Sequence, residues 1–133
     1  MCVSSFHTGF ITINRSLKIA DSGKALIRFD EGRESWLWVQ PESILFIKSA
    51  DHYVKTLIQY EEQKKWTLRH STLKDLLPLL NSNYFIRLNR FYIVNRSRFS
   101  HVDHREKTLF FKDGFFIAVS HPISPFILDS LLQ

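Results

Sequence analysis

The arginines of one short segment are the residues best suited to bind a ligand in this sequence. Residues 85–99 contain four arginines and no acidic residue, namely Arg87, Arg90, Arg96 and Arg98. The chain carries a formal net charge of +5, and clustered positive charge favours a polyanionic partner. An ordinary solvated face of a basic protein explains the same charge equally well, so charge alone does not identify the partner.

Arg90 is expected to lie on a loop. If residues 85–88 form a strand, Ile86 and Leu88 share one face and Arg87 lies on the other. Strict alternation would then bury Arg90, and an unpaired buried guanidinium is very unfavourable. The strand must therefore break at Asn89 and Arg90. An arginine on a rigid loop can donate two hydrogen bonds to a guanine edge, worth about 1–3 kcal/mol of discrimination; a salt bridge is the alternative, but the segment contains no carboxylate.

Enzyme chemistry has little support in the sequence. His101, Asp103 and His104 could suggest a metal site, but strand alternation places His104 on the face opposite to the other two. No cysteine pair or second histidine cluster completes a zinc site, and no phosphate-binding glycine loop or catalytic motif is present. We predict a protein that is not an enzyme and that uses no metal and no cofactor.

Length and composition predict a single cytoplasmic domain. The chain has 133 residues, of which 44% are hydrophobic, and this suffices for one core without a disulfide or metal. Cys2 is the single cysteine, which suits a reducing compartment. No apolar run approaches the roughly 18 residues of a membrane span, and the first residues lack the pattern of a secretion signal.

The elements that must position the arginines are predicted to be mostly strands. Short runs of β-branched and aromatic residues alternate with turn residues, as in all-β proteins. Asp113-Gly114 predicts a two-residue type I′ hairpin turn, because glycine accepts a positive φ. The predicted strands cover residues 10–13, 25–29, 36–39, 44–48, 52–59, 65–69, 107–112 and 115–119.

Two short helices are predicted. Thr72 can cap a helix with Asp75 three residues later, and leucines at helical spacing follow until Pro78 shortens or kinks the helix. The second helix is predicted over residues 125–132, with Ser124 as its cap and Pro125 in its first position. Its apolar residues Phe126, Ile127 and Leu131 are expected to join the core.

From about residue 36 to residue 132 the sequence resembles the LytTR DNA-binding domains of bacterial transcription regulators of the LytR/AlgR type. The most specific element is Phe-Ile-Arg-Leu-Asn-Arg at 85–90 with Tyr-Ile-Val-Asn at 92–95, followed by a hairpin that ends in Val-Ser. The other matching segments, in order, are 44–48, 51–54, 68–73, 109–114 and 117–120. We divide the chain accordingly into an N-terminal extension, residues 1–35, and a LytTR-like domain, residues 36–133.

The resemblance implies a mostly β fold of about ten strands in small antiparallel sheets with one or two short helices. It also implies a DNA-binding transcription regulator whose loops enter successive major grooves and read short direct repeats. By position, the loops are residues 49–53, residues 89–90 together with 96–98, and residues 120–121. The predicted base contacts are His52, Arg90 and His121, and the predicted phosphate contacts are Lys55, Arg87, Arg96, Arg98 and Ser120. Asn95 is equally well explained as structural, its side chain bonding to nearby backbone.

Two departures from the family pattern bear on function. Many members have Arg or Lys where this chain has His121, and a histidine is at most partly charged near neutral pH. Many members follow a receiver domain as response regulator output domains, and residues 1–35 are too short for one, so we expect control without a receiver in this chain. The expected partners are double-stranded DNA, a second copy on tandem repeats and a regulatory protein. The alternative is a protein-interaction or ligand-binding β module that has lost DNA binding.

Overall fold

The structure is a computed structural model that describes residues 10–12, 17–20, 23–31, 34–80 and 83–131. Within these residues the chain is mostly β, with a nine-stranded and a three-stranded sheet. The strands are β1 Phe10–Thr12, β2 Leu17–Ala20, β3 Ala25–Asp30, β4 Trp36–Val39, β5 Ile44–Ala50, β6 Tyr53–Tyr60, β7 Gln63–Arg69, β8 Phe85–Arg87, β9 Tyr92–Asn95, β10 Phe99–Asp103, β11 Thr108–Phe111 and β12 Phe116–Ala118. The helices are α1 Leu73–Leu76 and α2 Pro125–Leu131, with short 3-10 helices at Pro41–Ser43 and Leu77–Leu79.

The large sheet is antiparallel throughout, in the order β1-β2-β3-β7-β6-β5-β9-β8. β4 pairs with β3 beside this path, and β3 joins β7 through the single pair Asp30 and Leu68. β10, β11 and β12 form the small antiparallel sheet. The strands that carry the predicted loops, β5, β6, β8 and β9, are therefore neighbours at one side of the large sheet.

A separate hydrophobic cluster packs on each face of the large sheet, because alternate strand residues point to opposite faces. The first cluster joins Ile47, Val54 and Ile93 to Leu73 and Leu76 of α1. The second cluster joins strand residues of the large sheet to the small sheet, with members that include Phe46, Leu57, Tyr92, Val94, Leu109, Phe111 and Val119. The small sheet therefore covers part of the second face and leaves the rest of that face over β6 and β7 open.

The predicted mostly β architecture with two short helices is confirmed. Among the predicted strands, those at 25–29, 36–39, 44–48, 52–59 and 65–69 are present with ends shifted by no more than two residues. In the segment predicted as 10–13, residue 13 lies outside the described residues. In the described ranges no helix is both long enough and apolar enough to cross a membrane.

The hairpin between β11 and β12 differs from the predicted type I′ turn. Its loop has three residues, 112–114, because Phe111 N donates to Phe115 O at 2.8 Å and Gly114 N donates to Phe111 O at 2.9 Å. Only Gly114 takes a positive φ, of 91°, as in three-residue hairpin loops. Asp113 stabilises the wider loop by accepting a hydrogen bond from Phe115 N at 3.0 Å, and a hydrogen bond from Lys64 lowers the pKa of its carboxyl.

The prediction that Phe126 joins the core is wrong, since its side chain is 80% exposed. The prediction is confirmed for Ile127, which packs against the second cluster together with Leu128. Successive residues of a helix are about 100° apart, so Phe126 points about 200° away from Leu128. The side chain of Leu131 lies outside the described residues.

The helix α1 begins as predicted at Thr72. The Thr72 hydroxyl accepts a hydrogen bond from Asp75 N at 3.0 Å, and Leu76 N donates to Thr72 O at 3.0 Å. The helix is short because Pro78 has no N–H with which to continue the ladder, and a 3-10 turn at Leu77–Leu79 follows. Both Leu73 and Leu76 are buried, which anchors this turn on the first face of the sheet.

Thr72→Ala is expected to lower the free energy of unfolding by about 1 kcal/mol, because it leaves Asp75 N without its capping acceptor. Urea unfolding followed by circular dichroism measures the difference. Thr72→Ser is the matched control, since it keeps the hydroxyl, and should stay within a few tenths of a kcal/mol of the wild type. Equal stability of the two variants would contradict a role for the hydroxyl.

Candidate nucleic-acid interface

Three loops predicted to bind DNA meet at one end of β5, β6 and β9. Ser49 N donates a hydrogen bond to Phe91 O at 2.8 Å, which joins the β5–β6 hairpin to the loop before β9. Asn89 Nδ2 donates to Pro122 O at 3.0 Å, which joins that loop to the segment after β12. The structure thus brings residues 49–53, 89–90 and 120–121 together.

The first loop is the tip of the β5–β6 hairpin. Ala50 and Tyr53 are the last paired residues, so Asp51 and His52 form the turn. Asp51 adopts a φ of 55°, a left-handed conformation that Asp tolerates better than most residues. His52 is exposed at this tip.

The second loop presents Arg90 and is held by hydrogen bonds to its backbone. Asn89 Oδ1 accepts from Phe91 N at 2.8 Å and from Tyr92 N at 3.0 Å. The Arg87 guanidinium donates to Asn89 O at 3.1 Å and to Arg90 O at 3.3 Å. Leu88 is buried whereas Arg87 and Arg90 are exposed, which confirms the predicted break in the strand. Arg90 is therefore exposed on a fixed turn, with its guanidinium carbon 6.0 Å from the centroid of the Phe91 ring.

The third loop is attached to the buried Tyr92. The Tyr92 hydroxyl accepts hydrogen bonds from Ser120 N at 3.0 Å and from His121 N at 3.2 Å. The same hydroxyl lies 3.2 Å from His121 Nδ1 and 3.3 Å from Ser120 Oγ. The His121 ring stacks on Phe91 with a centroid separation of 3.7 Å. His121 is thus exposed but oriented, and Phe91 and Tyr92 link its position to that of Arg90.

Arg96 and Arg98 do not belong to this group of loops. β9 separates them from Arg90, and its four residues span about 13 Å. Arg96 N donates to Tyr84 O at 2.6 Å, and the Arg98 guanidinium donates to Glu42 O at 3.3 Å. Both lie at the opposite end of β9, so the prediction that residues 96–98 share a loop with residues 89–90 is wrong. Their contact with DNA phosphates stays a prediction.

Asn95 is structural. Its side chain is fully buried, and its Oδ1 accepts from Ser97 N at 3.0 Å and from Ser97 Oγ at 2.6 Å. Its Nδ2 donates to Ile44 O at 2.8 Å and lies 3.5 Å from Glu42 O. Asn95 therefore ties the turn after β9 to the start of β5 and presents no atom to a ligand.

His101, Asp103 and His104 form no joint site. The His101 ring stacks on Phe110 at 4.6 Å, while Asp103 Oδ1 accepts from Arg105 N and Glu106 N. His104 is exposed in the turn that follows. Across the residues whose placement is described, no group of three His, Cys, Asp or Glu side chains is arranged to hold a metal.

Lys55 lies outside the loops, on the second face of the sheet. It is exposed and directly opposite Lys48 of β5. The sequence prediction did not include Lys48, nor Asn89, Phe91 and Tyr92 as residues that position the loops. Asn89 has a detectable signal, since Asn at the start of a turn commonly accepts backbone N–H groups. Phe91 and Tyr92 have none, because their partner His121 is about 30 residues away in sequence.

Comparison with known proteins agrees with this geometry. Residues 34–124 match the family model described as the LytTr DNA-binding domain. A solved structure titled the LytTr DNA-binding domain of a putative methyl-accepting/DNA response regulator from Bacillus cereus superposes with a TM-score of 0.56 at 23% identity, and covers 83% of this chain and 98% of that one. Among curated protein sequences no match is found.

Proposed function

Because this chain belongs to the LytTr DNA-binding domain family, we propose that it regulates transcription by binding double-stranded DNA sequence-specifically through its three joined loops. The observation that carries the proposal is the connection of these loops. Hydrogen bonds of Ser49 and Asn89 hold them at one end of the sheet, and each loop exposes one side chain able to contact a base edge. The proposed activity is binding without catalysis.

The proposed base contacts are His52, Arg90 and His121, one from each loop. An arginine donates two hydrogen bonds to guanine O6 and N7, and the fixed backbone of Arg90 limits the entropy lost when it does so. His121 keeps the orientation set by Phe91 and Tyr92.

Three of the proposed phosphate contacts lie in or beside these loops and two lie at the far end of β9. They are Lys55, Arg87, Arg96, Arg98 and Ser120, of which the two arginines beyond β9 are the most distant. A duplex bent around this face would bring its backbone towards both ends of β9. We further propose that the protein reads short direct repeats and that two copies bind in tandem. The cytoplasmic location, the division at residue 35 and a regulatory protein partner stay predictions.

A salt titration tests DNA binding. A duplex selected from a random library should bind with log affinity falling against log salt at a slope of about −5 to −7, if six to eight phosphates are neutralised. Fluorescence anisotropy at several salt concentrations measures this slope. Failure to bind any duplex at about 50 mM salt, where backbone contacts are strong, would refute the proposal.

A further inference from the structure

An open groove lies on the second face of the large sheet, beside the loops. Its lining residues come from three neighbouring strands and are Lys48, Lys55, Trp66, Thr67 and Leu68. Lys48 of β5 is directly opposite Lys55 of β6, and Lys55 is directly opposite Leu68 of β7. The lining contains two ammonium groups and no carboxylate.

Unlike Lys64 and Lys65 of the same sheet, Lys48 and Lys55 have no carboxylate partner among the described residues to neutralise their charge. Like charges directly opposite each other in neighbouring strands are destabilising. Lys64 and Lys65 of β7 pair with Asp113 at 2.6 Å and with Glu31 at 3.2 Å. No described carboxylate forms an ion pair with Lys48 or Lys55, and the Lys48 ammonium lies instead 5.2 Å from the Trp66 ring. An anion placed between the two ammoniums would remove their repulsion.

The floor of the groove is apolar and exposed. Trp66 is 45% exposed and Leu68 39% exposed, although a well-covered sheet face would bury both. Trp66 is nevertheless held in place, because its ring makes an edge contact with the buried Phe46 at 6.5 Å. An apolar surface beside two cations suits a ligand in which anionic and less polar groups alternate. The DNA backbone is such a ligand, since its phosphates alternate with deoxyriboses.

The groove is continuous with the DNA-binding loops. Lys48 lies two residues before Ala50, and Lys55 two residues after Tyr53, where the β5–β6 hairpin turns. Two residues of strand span about 7 Å, within the reach of a lysine side chain from a phosphate near the hairpin tip. Lys48 is also opposite Tyr92, the residue that holds His121. DNA bound by the loops would therefore pass the open end of the groove.

We propose that Lys48, Lys55 and Trp66 bind the DNA backbone just beyond the base pairs that the loops read. This inference rests on the proposed function, and it adds Lys48 and Trp66 as backbone-binding residues. The two ammoniums hold successive phosphates, and the deoxyribose between them packs on the indole. The groove contributes affinity and salt dependence but no base preference, since backbone contacts carry no sequence information directly.

The test compares a minimal duplex with one extended by about one helical turn on each side. For the wild type we expect tighter binding and a steeper salt slope with the extended duplex. Lys48→Gln should reduce the slope on the extended duplex by about 0.9 and reduce the preference for the extended over the minimal duplex. Trp66→Ala should reduce that preference without changing the slope, because it removes no charge.

Lys65→Gln is the matched control, since Lys65 precedes Trp66, lies on the other face and pairs with Glu31. It should leave both the slope and the length preference as in the wild type. Thermal melting should show Lys48→Gln close to the wild type in stability, because removal of the like-charge pair offsets the lost contact between the Lys48 ammonium and the Trp66 ring. Weaker DNA binding by Lys48→Gln would then not be due to loss of folding.

Three results would overturn the groove. The first is that Lys48→Gln changes the salt slope of DNA binding no more than Lys65→Gln does, although the wild type still binds its selected duplex. The groove would then not bind DNA, and the proposed function would stand. The second is that adenosine monophosphate quenches the tryptophan fluorescence of the wild type but not of Lys48→Gln, while the salt slopes of duplex binding are the same for both. This result would identify the groove as a nucleotide site. The third is failure of the wild type to bind any duplex, which refutes the proposed function as well.

Discussion

Asn95→Ala is expected to lower the free energy of unfolding by about 2–4 kcal/mol, because it removes three hydrogen bonds of a buried side chain, one of them to the carbonyl of the buried Ile44. Asn95 is fully buried. The variant loses the acceptor for Ser97 N and Ser97 Oγ and the donor to Ile44 O. Each lost hydrogen bond is worth about 0.5–1.5 kcal/mol net, and the buried Ile44 carbonyl, left without this donor, adds to the cost. Chemical unfolding followed by tryptophan fluorescence measures the loss.

Ser97→Ala tests the contribution of one of the three hydrogen bonds that Asn95 makes. This variant removes only the hydroxyl that donates to Asn95 Oδ1 at 2.6 Å, and keeps the bonds of Asn95 to Ser97 N and Ile44 O. It should lower the free energy of unfolding by about 0.5–1.5 kcal/mol, the usual net value of one hydrogen bond. Losses of the same size in both variants would mean that Asn95 does not connect β9 to β5 as the structure indicates.

The strands of the large sheet could be predicted where they are long or rich in β-branched and aromatic residues. β5 and β6 have seven and eight residues, and both follow the predicted segments closely. β2 was missed because Leu17–Ala20 has four residues and offers only a brief alternation. β10 was missed because Ser100 and His101 give Phe99–Asp103 the polar character of a loop that leads into the hairpin. Its strand conformation comes from pairing with β11, which the sequence of the segment does not display.

The loop that carries Arg90 could be derived from burial alone, since alternation would otherwise have buried a guanidinium. The meeting of three loops could not, because it depends on long-range hydrogen bonds such as Asn89 Nδ2 to Pro122 O. The prediction that Arg96 and Arg98 lie with Arg90 was wrong because closeness in sequence was taken for closeness in space. These arginines are close in sequence, but the extended β9 between them carries the chain to the other end of the sheet.

Arg90→Ala is expected to lower discrimination between the selected duplex and one altered at the contacted base pair by about 1–3 kcal/mol, or five- to 150-fold. The loop should keep its form, because the Arg87 bond goes to the Arg90 backbone carbonyl and the Asn89 bonds go to Phe91 N and Tyr92 N. The loss therefore reports the guanidinium itself. Anisotropy titrations of both duplexes at one salt concentration measure the ratio of the dissociation constants.

Arg96→Ala is the matched control for Arg90→Ala, since it removes the same charge at the other end of β9. A backbone contact carries no sequence information directly, so Arg96→Ala should weaken both duplexes alike and reduce the salt slope by about 0.9. The ratio of the two dissociation constants should then stay at its wild-type value. If the two variants lose discrimination equally, the division between base-reading loops and backbone-binding residues is wrong. The three joined loops would then position DNA without reading it through Arg90.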